Sequence, residues 1–209
     1  MPTSSPYIAF EGAEGSGKST HARRLAHSLD AVLTQETGGT AVGQRLRAIL
    51  HDTALDHLEP RAEALVVAAD RAQHLAEVVI PALAAGRTVV SDRSVYSSLA
   101  YQGYGRQLDL DELRRVNEWA VQGHWPTLVV YVEASPELTA QRLDGRQLDR
   151  FELAGAAFHQ RVLEGFRAMA AADPERWITV TTERSADAVA ADVLAAVGER
   201  LAGFGADAT

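Results

Sequence analysis

Residues 12–19 constrain the fold of this chain more than any other segment. They read Gly-Ala-Glu-Gly-Ser-Gly-Lys-Ser, a full match to the pattern G-x-x-x-x-G-K-[ST] of a phosphate-binding loop, or P-loop. In this pattern the glycines let the backbone curl so that its N–H groups point inward, Lys18 reaches the outer phosphates, and the Ser19 hydroxyl can bind Mg²⁺. A strand must precede such a loop and a helix must follow it, so the pattern predicts an α/β fold.

The neighbouring sequence agrees with this interpretation rather than with a glycine-rich loop that matches by accident. The apolar residues Tyr7–Phe10 predict a buried strand before the loop, and apolar residues at helical spacing follow Ser19. Lys18 is also the single lysine among the 20 lysine and arginine residues of the chain. A lysine that occurs only in this loop favours a functional role for it.

Strands and helices alternate along the rest of the chain. Apolar segments at residues 31–34, 87–92, 127–132 and 177–181 predict four further strands. Helices are predicted over residues 41–50, 60–85, 94–102, 110–122 and 186–201, and from Ser135-Pro136 onward. Pro81 should kink the helix over 60–85. A loop is expected at 103–105 and a frayed tail from 203. The alternation predicts one α/β domain of the P-loop NTPase type, with a five-stranded parallel sheet covered by helices on both faces.

Composition excludes several classes of protein. A net charge of −8 argues against a general nucleic-acid binder, and no apolar segment reaches the ~18 residues of a membrane helix. The chain has no cysteine, which is compatible with a reducing cytoplasm, and its first six residues do not resemble a signal peptide. The seven histidines show no metal-ligand spacing, so we expect them on the surface or on helix faces.

Acidic and basic residues near predicted strand ends suggest a second substrate. Asp92 ends the third predicted strand, where P-loop enzymes place a carboxylate on the side of Mg²⁺, and Arg93 follows it. Arg142, Arg146 and Arg150 recur at a spacing of four, which predicts three guanidinium groups on one helix face. This face is either solvated surface or a mobile lid over the transferred phosphate.

Two P-loop classes are disfavoured by particular residues. A GTPase needs a second lysine to recognise guanine, and the chain has none. Motor ATPases place a glutamate beside the strand-end aspartate to orient water, whereas Arg93 stands there. Arginines near several strand ends, with a candidate lid, suit phosphoryl transfer to a second small anion while water is excluded. Within the predicted helix 60–85, Asp70 and Arg71 form either a paired core feature or part of a pocket wall.

Six segments together resemble the bacterial thymidylate kinase family. They are Phe-Glu-Gly at 10–12, Glu-Thr-Gly-Gly-Thr at 36–40, Ala-Ala-Asp-Arg-Ala-Gln-His at 68–74, Asp-Arg at 92–93, Ser-Ser-Leu-Ala-Tyr-Gln-Gly at 97–103 and Leu-Asp-Arg-Phe-Glu at 148–152. The resemblance implies a single nucleoside monophosphate kinase domain over residues 1–209 that transfers a phosphoryl group from ATP to dTMP with Mg²⁺. It also implies a homodimer, and composition adds the expectation of a cytoplasmic protein that binds neither nucleic acid nor membrane.

The resemblance also implies the residues of the site. The ATP-binding residues are Gly12, Ala13, Glu14, Gly15, Ser16, Gly17, Lys18, Ser19 and Thr20, with Ser19 and Asp92 on the side of Mg²⁺. The acceptor-binding residues are Glu14, Arg47, Val67, Arg71, Arg93, Ser98, Tyr101 and Gln102. The catalytic residues are Lys18, Asp92, Arg93, Arg142 and Arg146, with the last two on a lid over residues 142–152.

Individual roles follow from the same resemblance. Arg47 and Arg93 are expected to hold the acceptor monophosphate, although spacing alone leaves Arg47 on a solvated helix face. Glu14 is expected to contact the sugar 3′-hydroxyl and Tyr101 to crowd the 2′-position. Arg71 is expected to hydrogen-bond the thymine edge, and Ser98 to lie near the base. The P-loop carries no arginine at its variable positions, so the chain resembles the members of the family in which the lid supplies the catalytic arginines.

Four positions depart from the usual family pattern. Gln35 and Thr37 replace an arginine and a proline, Val67 stands where an aromatic residue stacks on the base, and Ser94 stands where a tyrosine is common. These departures leave open a kinase of the same fold that acts on a different or modified pyrimidine monophosphate. A third alternative, from another class, is a P-loop protein that binds ATP without catalysis.

Overall fold

A five-stranded parallel sheet forms the centre of the molecule. The structure is a computed structural model that describes residues 5–55, 57–145 and 148–206. The strands are β1 (Tyr7–Glu11), β2 (Val32–Gln35), β3 (Val89–Asp92), β4 (Leu128–Glu133) and β5 (Trp177–Thr181). Their order is β2-β3-β1-β4-β5, and every neighbouring pair is parallel. This confirms the fold class predicted from the sequence.

Helices connect the strands and cover both faces of the sheet. They are α1 (Lys18–Ser28), α2 (Ala41–His51), α3 (Pro60–His74), α4 (Ile80–Ala84), α5 (Val95–Ser98), α6 (Leu110–Val121), α7 (Pro136–Leu143), α8 (Ala156–Ala172) and α9 (Ala186–Ala206). Two π-helical segments, Leu75–Val79 and Leu99–Gly105, join α3 to α4 and extend α5, and a short 3₁₀ turn spans Glu152–Ala154. In the described residues, no helix is long and apolar enough to cross a membrane.

Alternation along the strands produces two cores. In β1, Tyr7 faces one core with residues of α3, α6 and α8, whereas Ile8 and Phe10 face the other core with residues of α1 and α9. All three side chains are at most 3% exposed. A central parallel strand has both faces covered, so its residues are apolar on both sides.

Two local predictions were wrong, the loop at 103–105 and the frayed tail from 203. The loop expected at 103–105 is π-helical, because Gly103 and Gly105 let Leu110 and Phe158 pack against the backbone. The helical stretch predicted over 60–85 is confirmed, with π-helical hydrogen bonding over Leu75–Val79 between α3 and α4, and the kink at Pro81 stays a prediction. The terminal helix α9 continues to Ala206, past the expected frayed start at 203.

The arginine spacing of four does not produce one helix face. Helix α7 ends at Leu143, and Gly145 has a φ of +73° that stops it from continuing. Arg150 lies beyond that end and is 8% exposed, with its Nη1 2.6 Å from the fully buried Glu63 of α3. Arg146 lies outside the described residues. Periodicity could not reveal this because the partner of Arg150 is far away in the sequence.

Glu63 is the centre of this buried charge cluster. Besides Arg150, its carboxylate accepts hydrogen bonds from Arg106 at 3.1 Å and from Gln102 Nε2 at 2.8 Å. Arg150 also donates from Nε to the Leu50 carbonyl at the end of α2. The cluster therefore joins α3 and the end of α2 to the segment after α7.

We predict that Glu63→Ala destabilises the protein by about 3–5 kcal/mol, because it leaves buried guanidinium groups without their carboxylate. The matched control is Glu59→Ala at the exposed N-cap of the same helix, where Glu59 accepts from the backbone N–H of Arg61 and Ala62. Loss of that cap costs about 1 kcal/mol. Urea denaturation measures the free energy of unfolding of both variants. Equal small losses of stability in the two would contradict the role of Glu63 as the centre of the buried charge cluster.

Candidate active site

One open cavity at the C-terminal edge of the sheet brings together most of the predicted site residues. This edge is where open α/β sheets bind ligands. The cavity is lined by predicted residues from the P-loop, α2, α3 and the segment after β3: Glu14, Lys18, Ser19, Arg47, Val67, Arg71, Asp92, Arg93, Ser98, Tyr101 and Gln102. Side chains that the resemblance assigned to donor and acceptor binding therefore share one space.

The P-loop leaves β1 as predicted, and α1 begins at Lys18. Gly12 has a φ of +147°, and a Cβ there would lie 2.5 Å from the Val132 carbonyl oxygen of β4. Only glycine allows that close approach. Gly17 precedes the helix in the left-handed conformation. The loop and the N-terminal end of α1 thereby form a site suited to an anion.

Lys18, Glu14 and Arg93 form a partly buried charge group. Lys18 Nζ lies 3.6 Å from Glu14 Oε2, and Arg93 Nη2 donates to Glu14 Oε1. Lys18, followed by Arg93, lowers the pKa of the Glu14 carboxyl well below its usual range in spite of burial. Burial and the neighbouring Arg93 lower the pKa of Lys18. The carboxylate thus holds the two cations close together.

Arg93 joins the P-loop to the segment after β3. Its Nη1 donates to the Gly12 carbonyl at 3.1 Å and to Ser97 Oγ at 3.0 Å, and its Nη2 donates to the Tyr101 hydroxyl at 3.1 Å. The guanidinium also lies 5.0 Å from the centre of the Tyr101 ring. Burial raises the pKa of Tyr101 to about 12, so its hydroxyl stays neutral. These contacts fix the orientation of Arg93.

Asp92 and Ser19 have the chemistry of a magnesium site. The buried Oδ1 of Asp92 has no hydrogen-bond partner among the described residues, and an orphaned carboxylate oxygen fits a cation. Ser19 is exposed, and both residues line the same cavity. Two oxygen donors suit Mg²⁺, which keeps several waters and binds substrate phosphates. The described residues contain no cluster of three or more metal-ligating side chains.

Arg71 also lines the cavity and is 1% exposed. It donates to Glu36 Oε2 and Ser98 Oγ, both at 2.9 Å, to Asn117 Oδ1, and to the Ser94 carbonyl at 3.1 Å. These bonds use four of its five N–H groups. The fifth N–H, on Nη2, takes part in none of them, and because Arg71 lines the cavity it is the N–H that a ligand there would meet.

Val67 precedes Arg71 by about one helical turn, and the two share the wall of the cavity. Asp70, by contrast, accepts from the Gly38 backbone N–H at 2.9 Å and supports the turn after β2. The open question about Asp70 and Arg71 therefore has two answers. Arg71 belongs to the pocket wall and Asp70 to the core.

Helix α2 contributes a row of side chains that sequence analysis found only in part. Arg47 donates from Nη1 to the Thr37 carbonyl at 3.2 Å, and Leu50 and His51 lie three and four positions further on the same face. His51 Nδ1 lies 2.6 Å from Asp149 Oδ2, and Phe151 lines the cavity nearby. His51 was missed, although its spacing of four from Arg47 is a usable signal.

Arg142, one of the two predicted lid arginines, does not line the cavity. Arg142 Nη1 donates to the carbonyls of Gly15 and Ser16 at 3.0 and 2.9 Å, and its guanidinium also contacts Thr182. It therefore supports the backbone of the P-loop from outside the cavity. Arg146 lies outside the described residues. Their catalytic roles stay predictions, as does ATP binding by the exposed Thr20.

Two of the histidines predicted on the surface or on helix faces, His21 of α1 and His74 of α3, lie on helices but are buried. His21 is 4% exposed and His74 is 0% exposed. His74 Nδ1 lies 2.9 Å from Glu36 Oε1, so a buried partner outside its own helix explains its burial. His51 is partly buried at the cavity wall.

Comparisons with known proteins agree with this geometry. The family model for thymidylate kinase matches residues 10–193. Thymidylate kinase from Solidesulfovibrio magneticus is 44% identical over 208 residues, covering 93% of this chain and 100% of that protein. The chain belongs to the thymidylate kinase family. A second relative, thymidylate kinase from an Exiguobacterium species, is 41% identical over 201 residues and covers 93% of this chain and 95% of its own length.

The fold of a solved thymidylate kinase is also similar. The crystal structure of the enzyme from Ehrlichia chaffeensis superposes with a TM-score of 0.77 at 27% identity, covering 93% of this chain and 98% of the other. The chain therefore spans nearly the full length of its thymidylate kinase relatives. Residues 10–193 include every predicted site residue.

One departure from the thymidylate kinase pattern, Ser94, supports a buried carboxylate. Glu11 at the end of β1 accepts from the Ser94 N–H at 2.8 Å and from its hydroxyl at 2.7 Å. It also accepts from the Ser97 N–H and hydroxyl, and Ser97 in turn accepts from Arg93. Burial raises the pKa of Glu11 to about 7 although these hydrogen bonds and Arg93 oppose the shift.

The raised pKa of Glu11 predicts a pH-dependent stability. Because the folded-state pKa lies above the unfolded value, the contribution of Glu11 is fully present below pH 4.5 and is lost as pH rises through about 7. Relative to Glu11→Gln, the wild type should lose about 3 kcal/mol of unfolding free energy between these limits. Urea denaturation at several pH values measures both proteins. If the unfolding free energies of the wild type and Glu11→Gln changed with pH in the same way, the raised pKa of Glu11 would be refuted.

Proposed function

We propose that this chain transfers the γ-phosphoryl group of ATP to dTMP and forms ADP and dTDP. The observation that carries the proposal is the single cavity in which Lys18 and Ser19 of the P-loop face Arg47, Arg71 and Arg93. A hydrolase needs only the P-loop residues. A second set of cations within the same space suits a second phosphate-bearing substrate.

The donor side rests on the P-loop. Its inward N–H groups, Lys18 and the N-terminal end of α1 suit the ATP phosphates. Ser19 and the free Oδ1 of Asp92 would hold Mg²⁺. When bound, the ion would neutralise charge on the phosphate oxygens. Arg142 supports the carbonyls of the loop and so would keep its N–H groups directed at the phosphates.

The acceptor side lies between α2, α3 and the segment after β3. Arg47 and Arg93 would hold the monophosphate, and the Glu14 carboxylate between Lys18 and Arg93 lies where a sugar hydroxyl would meet the P-loop. Tyr101 is 7% exposed and fixed by Arg93, so it would limit space near the sugar. The free N–H of Arg71 would donate to the base.

Transfer needs no covalent intermediate with the enzyme. An oxygen of the acceptor monophosphate attacks the γ-phosphorus, a new P–O bond forms, and the bond from that phosphorus to the β,γ-bridging oxygen breaks to release ADP. Negative charge spreads over the transferring oxygens, and fixed cations at such a site are worth about 10³–10⁵ in rate. Lys18 and Arg93 would supply two of these cations, with Arg142 and Arg146 proposed as lid residues.

The same-fold alternative has one specific feature in its favour. The base end of the cavity has Val67 rather than an aromatic ring, so stacking there would be weaker. The relatives named thymidylate kinase, which match over most of this chain, favour dTMP.

We further propose a cytoplasmic homodimer. Leu65 of α3 and Trp119 of α6 are 58% and 84% exposed, and the two helices pack side by side. Large apolar side chains exposed on neighbouring helices suit an interface with a second copy. The absence of cysteine is compatible with a reducing compartment.

The proposed function predicts that dTMP is the best acceptor among dTMP, dUMP, dCMP, dAMP and UMP. Arg71 would donate to the 4-oxo group of thymine, and Tyr101 would disfavour a 2′-hydroxyl. A coupled assay of ADP release with ATP and Mg²⁺ measures each acceptor. A different preferred pyrimidine would support the alternative kinase, and ATP binding without acceptor-dependent ADP release would support a non-catalytic protein.

A variant in α1 tests the role of the P-loop lysine in this assay, and a second variant in the same helix is its control. Lys18→Ala should lower the rate by at least about 10²-fold, because one preorganised cation at the transferring group is lost. Arg24→Ala, on the same helix, removes a cation that pairs with the exposed Asp187 and should leave the rate unchanged. Full turnover by Lys18→Ala would overturn the assigned role of the P-loop.

A further inference from the structure

Arg71 is held by a buried chain of hydrogen bonds that extends away from the cavity. Its Nε donates to Glu36 Oε2 at 2.9 Å, and Glu36 Oε1 lies 2.9 Å from His74 Nδ1. The other ring nitrogen of His74, Nε2, lies 2.7 Å from the Thr34 hydroxyl. The chain joins β2, the turn after it and helix α3.

Burial makes each link of this chain depend on the next. Glu36 is 4% exposed and His74 is 0% exposed, so neither has a shell of water to replace a lost partner. Arg71 and the hydrogen bond from His74 lower the pKa of Glu36 in spite of its burial. Since an ionised carboxylate can only accept, His74 Nδ1 carries the hydrogen that it donates to Glu36.

The backbone makes room for this arrangement at Gly39. A Cβ at that position would lie 2.9 Å from His74 Cδ2, 3.2 Å from Thr34 Oγ1 and 2.5 Å from the Gln35 carbonyl oxygen. All three distances are shorter than ordinary van der Waals contact. The turn after β2 therefore fits closely around the imidazole and the threonine hydroxyl.

We propose that His74 is a positioning residue for recognition of the acceptor base. By donating to Glu36, His74 fixes the carboxylate that fixes Arg71, and so directs the one free N–H of Arg71 into the cavity. The proposal rests on the proposed function, because it assigns the base end of the same cavity to the acceptor. His74 does not line that cavity and acts only through Glu36 and Arg71.

This role predicts that a change at His74 affects binding of the acceptor and leaves binding of ATP unchanged. Loss of the hydrogen bond that His74 Nδ1 donates leaves one oxygen of the buried Glu36 carboxylate without its donor. Glu36 and Arg71 will therefore adopt other orientations. Acceptor affinity then falls. The P-loop makes no contact in this chain of hydrogen bonds, so the KM for ATP and kcat stay the same.

Two substitutions at His74 distinguish positioning from filling of space. Asparagine carries its amide nitrogen near the position of imidazole Nδ1 and can still donate to Glu36, whereas glutamine carries its amide near Nε2 and loses that bond. Glutamine is closer to histidine in volume. A role in packing alone therefore favours His74→Gln, and the proposed role favours His74→Asn.

The experiment measures steady-state kinetics and calorimetric binding of dTMP at a temperature where circular dichroism shows each variant to be folded. His74→Gln should raise the dTMP KM and Kd by about tenfold or more, the effect of one hydrogen bond to a buried charge. His74→Asn should raise both by less than about threefold. In His74→Gln, the preference for dTMP over dCMP should fall together with the affinity for dTMP.

Thr34→Val keeps the test decisive if His74→Gln does not fold. Valine matches the shape of threonine but cannot bond to Nε2, so the dTMP KM should rise by about threefold with the KM for ATP unchanged. Three results overturn the role of His74: unchanged dTMP affinity in a folded His74→Gln, unchanged dTMP affinity in Thr34→Val when His74→Gln does not fold, or better binding by His74→Gln than by His74→Asn. Failure of the wild type to bind dTMP overturns the proposed function instead.

Discussion

The Arg93 guanidinium is the interaction on which the arrangement of the cavity depends. It donates to the Gly12 carbonyl and Glu14 of the P-loop and, from the same group, to Ser97 and Tyr101 after β3. Strands β1 and β3 are neighbours in the sheet, so the two segments leave the same edge side by side. Arg93 holds them at a fixed separation, and this separation defines where donor and acceptor phosphates can meet.

Three of the cations in the cavity, Lys18, Arg71 and Arg93, lie against carboxylates that fix them. Glu14 lies between Lys18 and Arg93, and Glu36 holds Arg71. Side chains held in this way lose little freedom when a ligand binds, because they are already in place. This also explains how a chain with a net charge of −8 can bind phosphates. The positive charge is local and is oriented by its acidic neighbours.

Local sequence was enough to predict the framework of the site. The P-loop, the end of β3 at Asp92 and the five strands follow from short patterns, because a strand, a turn and a helix are determined mostly by adjacent residues. Spacing alone left Arg47 on a solvated face, and only the resemblance to a family moved it to the site.

The parts that sequence could not predict depend on partners far along the chain. Arg150 is buried because Glu63 on α3 receives it, and His74 is buried because Glu36 and Thr34 surround it. Gly103 and Gly105 look like loop residues, yet they continue a helix because Leu110 and Phe158 occupy the space that a side chain would fill. None of these partners is visible in a local pattern.

The central claim is that donor and acceptor meet directly in one cavity, without transfer through the enzyme. The most direct test uses ATP made chiral at the γ-phosphorus with sulfur and oxygen isotopes, followed by determination of the configuration in the dTDP product. A single in-line displacement inverts the configuration, and the account predicts inversion. Retention would require two displacements and a phosphorylated enzyme, which would contradict it.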